Sequence, residues 1–488
     1  MSDDVPLPAV WVVGLTGHRR LKNAEAVRAL IREQMEALSG RARGRLAGCS
    51  SAAIGADTLF AETCAALNVP WKALLPFSPA EFKTDFSESQ WSHASELLKG
   101  AVEIEISGSA EDRTAAYLRC GLRTVDEADV VIAVWNGLPA RGVGGTGDVV
   151  RYARQEKKPL ILIHPETLQV EHECLPEAFN DPVLDFLNRI AVAREGIESN
   201  ASGKGQVEHF FREVDAVATR IAPRFRRWVA VSLLMNTAAV ALTAAVIGLG
   251  LKSPLLDLLA LLLVAAATLA IVYVKRQGAH ETWIRCRVAA EMCRSALATW
   301  EFPTIVTPFW FQELPGLGRL GRSLRYLRLS NTPANSDNVA AVKEQYLATR
   351  IGHQIEYFRE RSRSLHLVLL VLTTLFWFFS LVAIGRGIFV ATAGTRWFSP
   401  ELGRIISSFL PFALPLIAGC ALSLISIFDL HRQLARSQDM RVRLLAFREQ
   451  ILQSNNMVTL QNAVEKVEKL FAEEFLEWFV LSRDPRFQ

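Results

Sequence analysis

Four apolar runs in the second half of the chain, Trp228–Leu249, Pro254–Val274, Leu365–Ile384 and Ser407–Leu430, constrain what it can fold into. Each holds about 20 to 24 residues, which at about 1.5 Å per residue reaches across the ~30 Å hydrocarbon core of a bilayer. The alternative is a buried helical hairpin in a large soluble protein, and four such runs are too many for that. Composition argues the same way. Trp228–Leu249 carries no charge and Pro254–Val274 only Asp257 near its end, which suits lipid better than a globular core with its polar fringe. Four membrane spans are expected.

Flanking charge sets the expected orientation. Arg224, Arg226 and Arg227 precede the first run and Lys275 and Arg276 follow the second, whereas the link between them holds only Lys252. Arg359, Arg361 and Arg363 precede the third run, and Arg432 and Arg436 follow the fourth. The bias is weaker for this second pair, because the outer link at Gly385–Ile406 holds Arg386, Arg396 and Arg404. The positive-inside rule then places both termini, and the stretch between the two pairs, in the cytoplasm.

Half the residues are hydrophobic and the mean hydropathy is positive, yet charged residues still make up 21% of the chain, so a sizeable soluble part accompanies the spans. The net charge of +4 is small and spread along the sequence, so no nucleic-acid partner is expected. Seven cysteines show no CxxC pair and no metal-ligand spacing with histidine, so reduced thiols and no metal site are expected. The opening Met1-Ser-Asp-Asp-Val-Pro6 lacks a basic region followed by an apolar core, so no signal peptide is expected.

From about Ala9 to Ile163, short β-branched runs alternate with helical stretches, the pattern of a parallel sheet covered by helices on both faces. Strands are expected at Val10–Val13, Trp71–Leu75, Val102–Ile106, Asp129–Trp135 and Pro159–Ile163, with helices near Ala24–Leu38, Asp112–Asp126 and Val149–Gln155. The fold class is thus an α/β Rossmann-like N-terminal domain followed by an all-α region of four transmembrane helices with cytoplasmic helices.

Three junctions on this pattern combine glycine with polar or charged groups. At Gly14-Leu-Thr16-Gly17-His18-Arg19 the missing side chains let backbone N–H groups approach an anion, and His18 and Arg19 add positive charge. At Gly55-Ala-Asp57 a helix begins with Asp57 at an N-cap position. At Gly144-Gly145-Thr146 a second glycine turn opens a helix. In an open α/β sheet these turns gather at the carboxyl edge of the strands, where ligands bind. A glycine turn before a helix is by itself only a tight connection, and Asp57 by itself only a cap; the three together point to a site. Arg113 and Tyr117, four apart on one helix face, are expected to meet a phosphate and stack on a base, or else to form a solvated basic face.

These motifs, with Leu74-Leu-Pro-Phe77, Glu81-Phe82, Asp85-Phe86 and Ala133-Val-Trp135-Asn136-Gly137, resemble a SLOG domain over about Ala9–Pro165. That Rossmann-like superfamily includes the LOG nucleotide hydrolases, the DNA-processing protein DprA and the cytosolic ligand domains of TRPM channels. The resemblance implies that a nucleotide, or a signal derived from one, binds at Gly14, Thr16, Gly17, His18, Arg19, Gly55, Asp57, Arg113, Tyr117, Trp135, Asn136, Gly144, Gly145 and Thr146, with no resident cofactor and no catalytic residue. The chain departs from the hydrolases at the second glycine turn, where Asp148 stands in place of their threonine and Arg151 in place of their glutamate. Hydrolysis is therefore not favoured, and Asp57, Arg113 and Asp148 are the catalytic candidates if it occurs.

Trp283, Arg287, Glu291 and Arg294 recur at spacings of three or four and form one helical stripe in which Arg287 and Glu291 are an ion-pair candidate. With Tyr346, Arg350, Gln354 and Tyr357, this arrangement is similar to the SLATT effector domain, a pair of membrane helices with an attached cytoplasmic helix found with SLOG domains in bacterial conflict systems. The likeness is clearest around Tyr346–Leu445 and partial around Arg224–Trp300. The expected organisation is a nucleotide-binding domain over 1–170, a connector over 171–223, a first hairpin over 224–300, a cytoplasmic connector over 301–345 and a second hairpin with a C-terminal helix over 346–488. The best linker is Ser330–Asp337, and the tail from Arg432 is expected to be helical. The resemblances imply an inner-membrane, oligomeric effector that senses a nucleotide signal.

Overall fold

In a computed structural model, the described residues are 7–42, 44–140, 142–192, 203–251, 253–276, 279–302, 317–330, 338–394 and 398–483. The chain divides into two compact units. One is built from Met1–Phe210 and Phe309–Thr332, the other from Phe211–Pro308 and Pro333–Gln488.

The first unit is the α/β domain. Its strands are β1 (Ala9–Gly17), β2 (Gly44–Ser50), β3 (Trp71–Leu75), β4 (Glu103–Ile106), β5 (Val130–Val134), β6 (Leu160–Ile163) and β7 (Val170–Glu173). They lie in the order β4-β3-β2-β1-β5-β6-β7, parallel except for the β6–β7 pair. The helices are α1 (Ala24–Arg41), α2 (Ala56–Ala66), α3 (Pro79–Phe82), α4 (Glu88–Lys99), α5 (Arg113–Glu127), α6 (Thr146–Gln155) and α7 (Pro182–Val192). All five residues of β3 and of β5 are buried, as strands covered on both faces require. The strand order reverses at β1, which pairs with β2 on one side and β5 on the other. A crevice therefore opens where Gly17 and Val134, partners in register, end their strands.

Two strands lie where none was expected. β2 reads Gly-Arg-Leu-Ala-Gly-Cys-Ser, with too few β-branched residues to announce itself, and β7 reads Val-Glu-His-Glu, a polar antiparallel edge. Helix α2 begins at Ala56 with Gly55 at the cap, so Asp57 is inside the helix and caps nothing. Helix α6 begins at Thr146, three residues earlier than the hydrophobic pattern indicated, because the glycine turn itself forms the cap.

The amino edge of the sheet is closed by a segment from far along the chain. Gly318–Leu329 forms a helix, numbered below in chain order, that packs on β1. Its Leu320, Leu324 and Leu327 are buried, and its arginines, spaced by three, meet acids of the sheet edge. Arg322 forks onto Asp129 at 2.9 and 3.1 Å, Arg319 reaches Asp181 at 3.1 Å and lies 3.4 Å from the centre of the Trp11 ring, and Arg325 pairs with Glu103. Asp129 also accepts the Val12 N–H at 2.9 Å, which ties this clamp to β1. The residues had been expected in a connector.

The second unit is helical. With the sheet-docked helix of the first unit counted in chain order as α11 (Gly318–Leu329), the second unit's helices are α8 (Gly203–Leu249), which starts in the first unit, α9 (Pro254–Arg276), α10 (Ala279–Ala298), α12 (Val339–Tyr346), α13 (His353–Ala393), α14 (Pro400–Arg404), α15 (Leu410–Ile427), α16 (Leu430–Gln453) and α17 (Met457–Arg483). Wider π-helical turns at Leu347–Gly352 and Ile405–Phe409 join α12 to α13 and α14 to α15. Among the described residues, four stretches are long and apolar enough to cross a membrane: Arg227–Leu249, Pro254–Tyr273, part of Val339–Ala393, and Pro400–Ile427. In the third, none of the most apolar window is buried inside the protein, as a lipid-facing surface requires. The helical tail is two helices, α16 and α17, broken at Ser454–Asn456. Of the expected linker, residues 331–337 lie outside the described residues.

The polar core of this unit is assembled around Arg350, in the first π-helical turn and 1% exposed. Its Nε and Nη2 each donate to Glu468 at 3.0 Å, its Nη1 donates to Glu291 at 3.0 Å, and its guanidinium carbon lies 4.2 Å from the centre of the Phe471 ring. Tyr346 and Ser295 each donate to Glu468 at 2.7 Å. Burial pushes the Glu291 carboxyl up, and the charges of Arg294, Arg350 and Arg287 overcome this, holding it down at about 2. The ion pair expected between Arg287 and Glu291 is replaced: Glu291 pairs with Arg294 and Arg350, and Arg287 faces Asp215 of α8 at 3.6 Å. The single stripe of α10 divides between two partners because two arginines, not one, lie within reach of each acid.

Candidate functional site

A cleft of about 1370 Å³ lies at the carboxyl ends of β1 and β5. Thr16, Gly17, His18, Arg19, Asp57, Arg113, Tyr117, Trp135, Asn136, Gly144, Gly145 and Thr146 line it. Two residues expected at the site do not. Gly14 lies deeper in β1, where a Cβ would stand 2.8 Å from that of Ala128, so its glycine lets α5 approach the sheet. Gly55 buttresses the cleft from behind. Its φ is +97°, and a Cβ there would stand 2.4 Å from the His18 carbonyl oxygen.

The end of β1 is stitched to its neighbours by backbone. His18 N–H donates to Val134 at 3.1 Å, and the Ala56 N–H donates to the His18 carbonyl at 3.2 Å. The His18 ring accepts the Asn136 N–H at Nε2, 3.3 Å away. One ring nitrogen is thereby spent on joining the β1 and β5 turns, and Arg19, Arg20 and Lys22 line the cleft beside it.

On the opposite wall, Gly144 has φ +85° and sits where a Cβ would be 2.9 Å from the Leu118 nitrogen, a combination only glycine tolerates. Gly145 caps α6, whose first-turn N–H groups have no partners inside the helix. Asp148 turns back onto this loop, accepting the Gly144 N–H at 3.1 Å while Arg151 donates to it at 3.0 Å. The two positions that depart from the hydrolase pattern therefore bind each other and brace the turn. Trp135 is held the same way, its Nε1 donating to the Leu138 carbonyl at 2.8 Å.

Asp57 lies on the cleft floor, 6% exposed. It accepts the Ser51 N–H at 3.1 Å and the Ser51 hydroxyl at 2.7 Å. Burial pushes its carboxyl up to about 6, against Ser51 and Arg19, which pull it down. The folded value exceeds the unfolded one, so Asp57 stabilises the fold at pH below about 4, and that stabilisation disappears as pH rises through about 6. Replacing the acid with a neutral acceptor removes this dependence. Asp57→Asn is expected to be more stable than the parent at pH 7.5, by up to about 3 kcal/mol at about 1.4 kcal/mol per unit, and to match it at pH 4. Denaturant titrations at the two pH values measure it.

Arg113 and Tyr117 face the cleft from α5, as their spacing predicted, but both bind Asp85. The Tyr117 ring is covered by Arg19, whose guanidinium carbon lies 4.7 Å from its centre. The face of Tyr117 on which a base was expected to stack is thus occupied by the guanidinium of Arg19. Sequence reasoning missed Ser51, because β2 went unread, and the Lys22–Glu166 pair at the rim, 2.7 Å apart. Asp85 was in a quoted motif without a role. Among the described residues no cluster of His, Cys, Asp or Glu could hold a metal ion.

Residues 209–363 match the family model of the SMODS and SLOG-associating 2TM effector domain 3. No curated protein matches the chain. The matched 2TM effector segment runs from within α8, through the first hairpin and α10, to the part of α13 that precedes the third apolar run. The sequence likeness was clearest around the second hairpin; the match lies on the first and reaches only the approach to the second. It takes in Asp215, Glu291, Arg294, Ser295, Tyr346 and Arg350, whereas Glu468, which accepts from the last three, lies beyond the matched residues.

Proposed function

We propose that this chain is a membrane effector of bacterial defence in which the cleft binds a nucleotide or nucleotide-derived signal, and occupancy shifts the membrane helices to an open or disruptive arrangement. The observation that carries the reading is the gathering of Thr16–Arg19, Trp135–Asn136 and Gly144–Thr146 in one cleft at the strand-order reversal, in a chain with a 2TM effector segment. The description of that domain as SLOG-associating agrees with a sheet unit whose motifs resemble SLOG. A ligand can move the helices only by its differential affinity for their two arrangements. The effector acts as a homo-oligomer in the inner membrane with both termini in the cytoplasm, since four spans of one chain do not easily line a pore.

The test uses the full-length protein in phosphatidylethanolamine–phosphatidylglycerol vesicles loaded with a fluorescent dye. Nucleotides, ADP-ribose derivatives and cyclic dinucleotides are screened for thermal stabilisation and dye release, with product analysis of each hit. A ligand at about 100 times its Kd is expected to stabilise by about 2.7 kcal/mol, to be recovered intact and to trigger release, with loss of the stabilisation and of the release in Arg19→Ala. A ligand recovered cleaved would move the function to a membrane-anchored hydrolase, and a stabilising ligand without dye release would remove the effector step.

A further inference from the structure

We infer that Asp85, which does not line the cleft, is the positioning residue that builds its α5 wall. This deepens the proposed ligand-binding role of the cleft and rests on it. Asp85 ends the short helical turn Lys83–Asp85 that follows α3. One of its carboxylate oxygens accepts from Arg113 Nη2 and the other from the Tyr117 hydroxyl. Each of those two groups carries a further layer. The Arg113 guanidinium carbon lies 4.2 Å from the centre of the Phe77 ring, and Phe77 meets Tyr117 edge to face at 5.5 Å. Arg19 lies on the outer face of Tyr117.

The arrangement decides what the wall offers a ligand. With Nη2 held by Asp85, and by Thr84 at 3.4 Å, Nε and Nη1 of Arg113 have no hydrogen-bond partner among the described residues. A guanidinium fixed at one end presents its remaining N–H groups in a set direction, as recognition of an anionic oxygen requires. Burial and the neighbouring Asp85 both push the Tyr117 phenol up, so it stays a neutral donor to Asp85 and a flat support for Arg19. The Asp85 charge also offsets one of the two arginines, so the wall carries about one net positive charge. A flat ring of the ligand meets the guanidinium of Arg19, and its anionic group meets Arg113.

The deciding measurement needs no ligand. In the full-length protein, phenylglyoxal labelling of Arg113 and nitration of Tyr117 are mapped by peptide mass in the parent and in Asp85→Ala, Asp85→Asn and Asp85→Glu. Asp85→Ala is expected to raise labelling at both positions at least fivefold, with Arg32 on α1 unchanged. Asp85→Asn and Asp85→Glu, which keep an acceptor, are expected to stay within twofold of the parent. If Asp85→Ala unfolds the protein, labelling rises at the largely covered Arg319 as well, and Asp85→Asn against Tyr117→Phe decides: Tyr117→Phe leaves Arg113 protected if Asp85 holds it directly. Unchanged labelling in folded Asp85→Ala, or labelling of Asp85→Asn as high as that of Asp85→Ala, overturns the inference. ADP binding to the same four proteins reads the cleft separately: a parent that binds no ADP while the labelling pattern holds counts against the ligand class alone.

Discussion

Arg350→Ala is expected to cost about 3–5 kcal/mol, roughly the whole margin of a domain, because it leaves the buried Glu468 without a cation and Glu291 with Arg294 alone. Arg350 is 1% exposed, and Glu468, which takes two of its bonds, is equally buried. Glu291 retains Arg294 and Glu468 retains only neutral donors, Tyr346 and Ser295, so most of the loss falls on Glu468. The same logic makes the reverse substitution informative. Replacing all three charges, Glu291→Gln with Arg350→Met and Glu468→Gln, removes the uncompensated acids; the amide at 468 accepts from one of the Tyr346 and Ser295 hydroxyls through its carbonyl and donates to the other through its NH2. That triple variant is expected to recover most of the stability lost in Arg350→Ala, since it leaves no buried charge of the triad without its partner. Denaturant unfolding in detergent compares them, and a triple variant as unstable as the single one would refute the account.

Gly55→Ala is the second large effect expected, about 1–3 kcal/mol from the left-handed backbone, with a backbone collision added. The collision is with His18 and Arg19: besides the His18 oxygen, the new Cβ would lie 2.7 Å from the Arg19 Cα. Neither atom belongs to a side chain that can swing away, so the β1 turn itself must shift. Loss of stability and loss of ligand binding are therefore expected together. Gly40→Ala in α1, where nothing lies within 4 Å of the new Cβ, is the control and is expected to be neutral or mildly stabilising. Thermal unfolding of both variants, followed by ligand titration, reads the difference; a folded Gly55→Ala that binds normally would contradict it.

What was legible in the sequence was local. Trp71–Leu75 stood out because every residue of a doubly covered strand is buried and apolar or nearly so, and the glycine turns because backbone geometry demands them. What was hidden depends on partners far away in sequence. β2 was unreadable because Gly44 and Gly48 dilute its apolar pattern, and with it went Ser51, the partner of Asp57. Asp85 finds Arg113 and Tyr117 about 30 residues on. Glu468 sits amid Val464, Val467 and Leu470 as one more charge on an amphipathic helix, and nothing near it foretells Arg350, 118 residues earlier. The Arg287–Glu291 spacing was a true helical adjacency, overridden by arginines from elsewhere.

The docking of α11 on β1 has a consequence for how such proteins are remade. The sheet unit is assembled from two stretches of chain with the 98 residues Phe211–Pro308 between them. A single splice cannot transplant it. A fragment ending near residue 210 would leave Asp129, Asp181 and Glu103 without Arg319, Arg322 and Arg325 and would bare the β1 surface that Leu320 and Leu324 cover. Recombination that exchanged the sheet unit of one such protein for another's would have to replace α11 in the same event, or keep its arginines matched to a foreign edge. The sheet unit and the segment Phe211–Pro308 are thereby inherited together, in one piece of sequence.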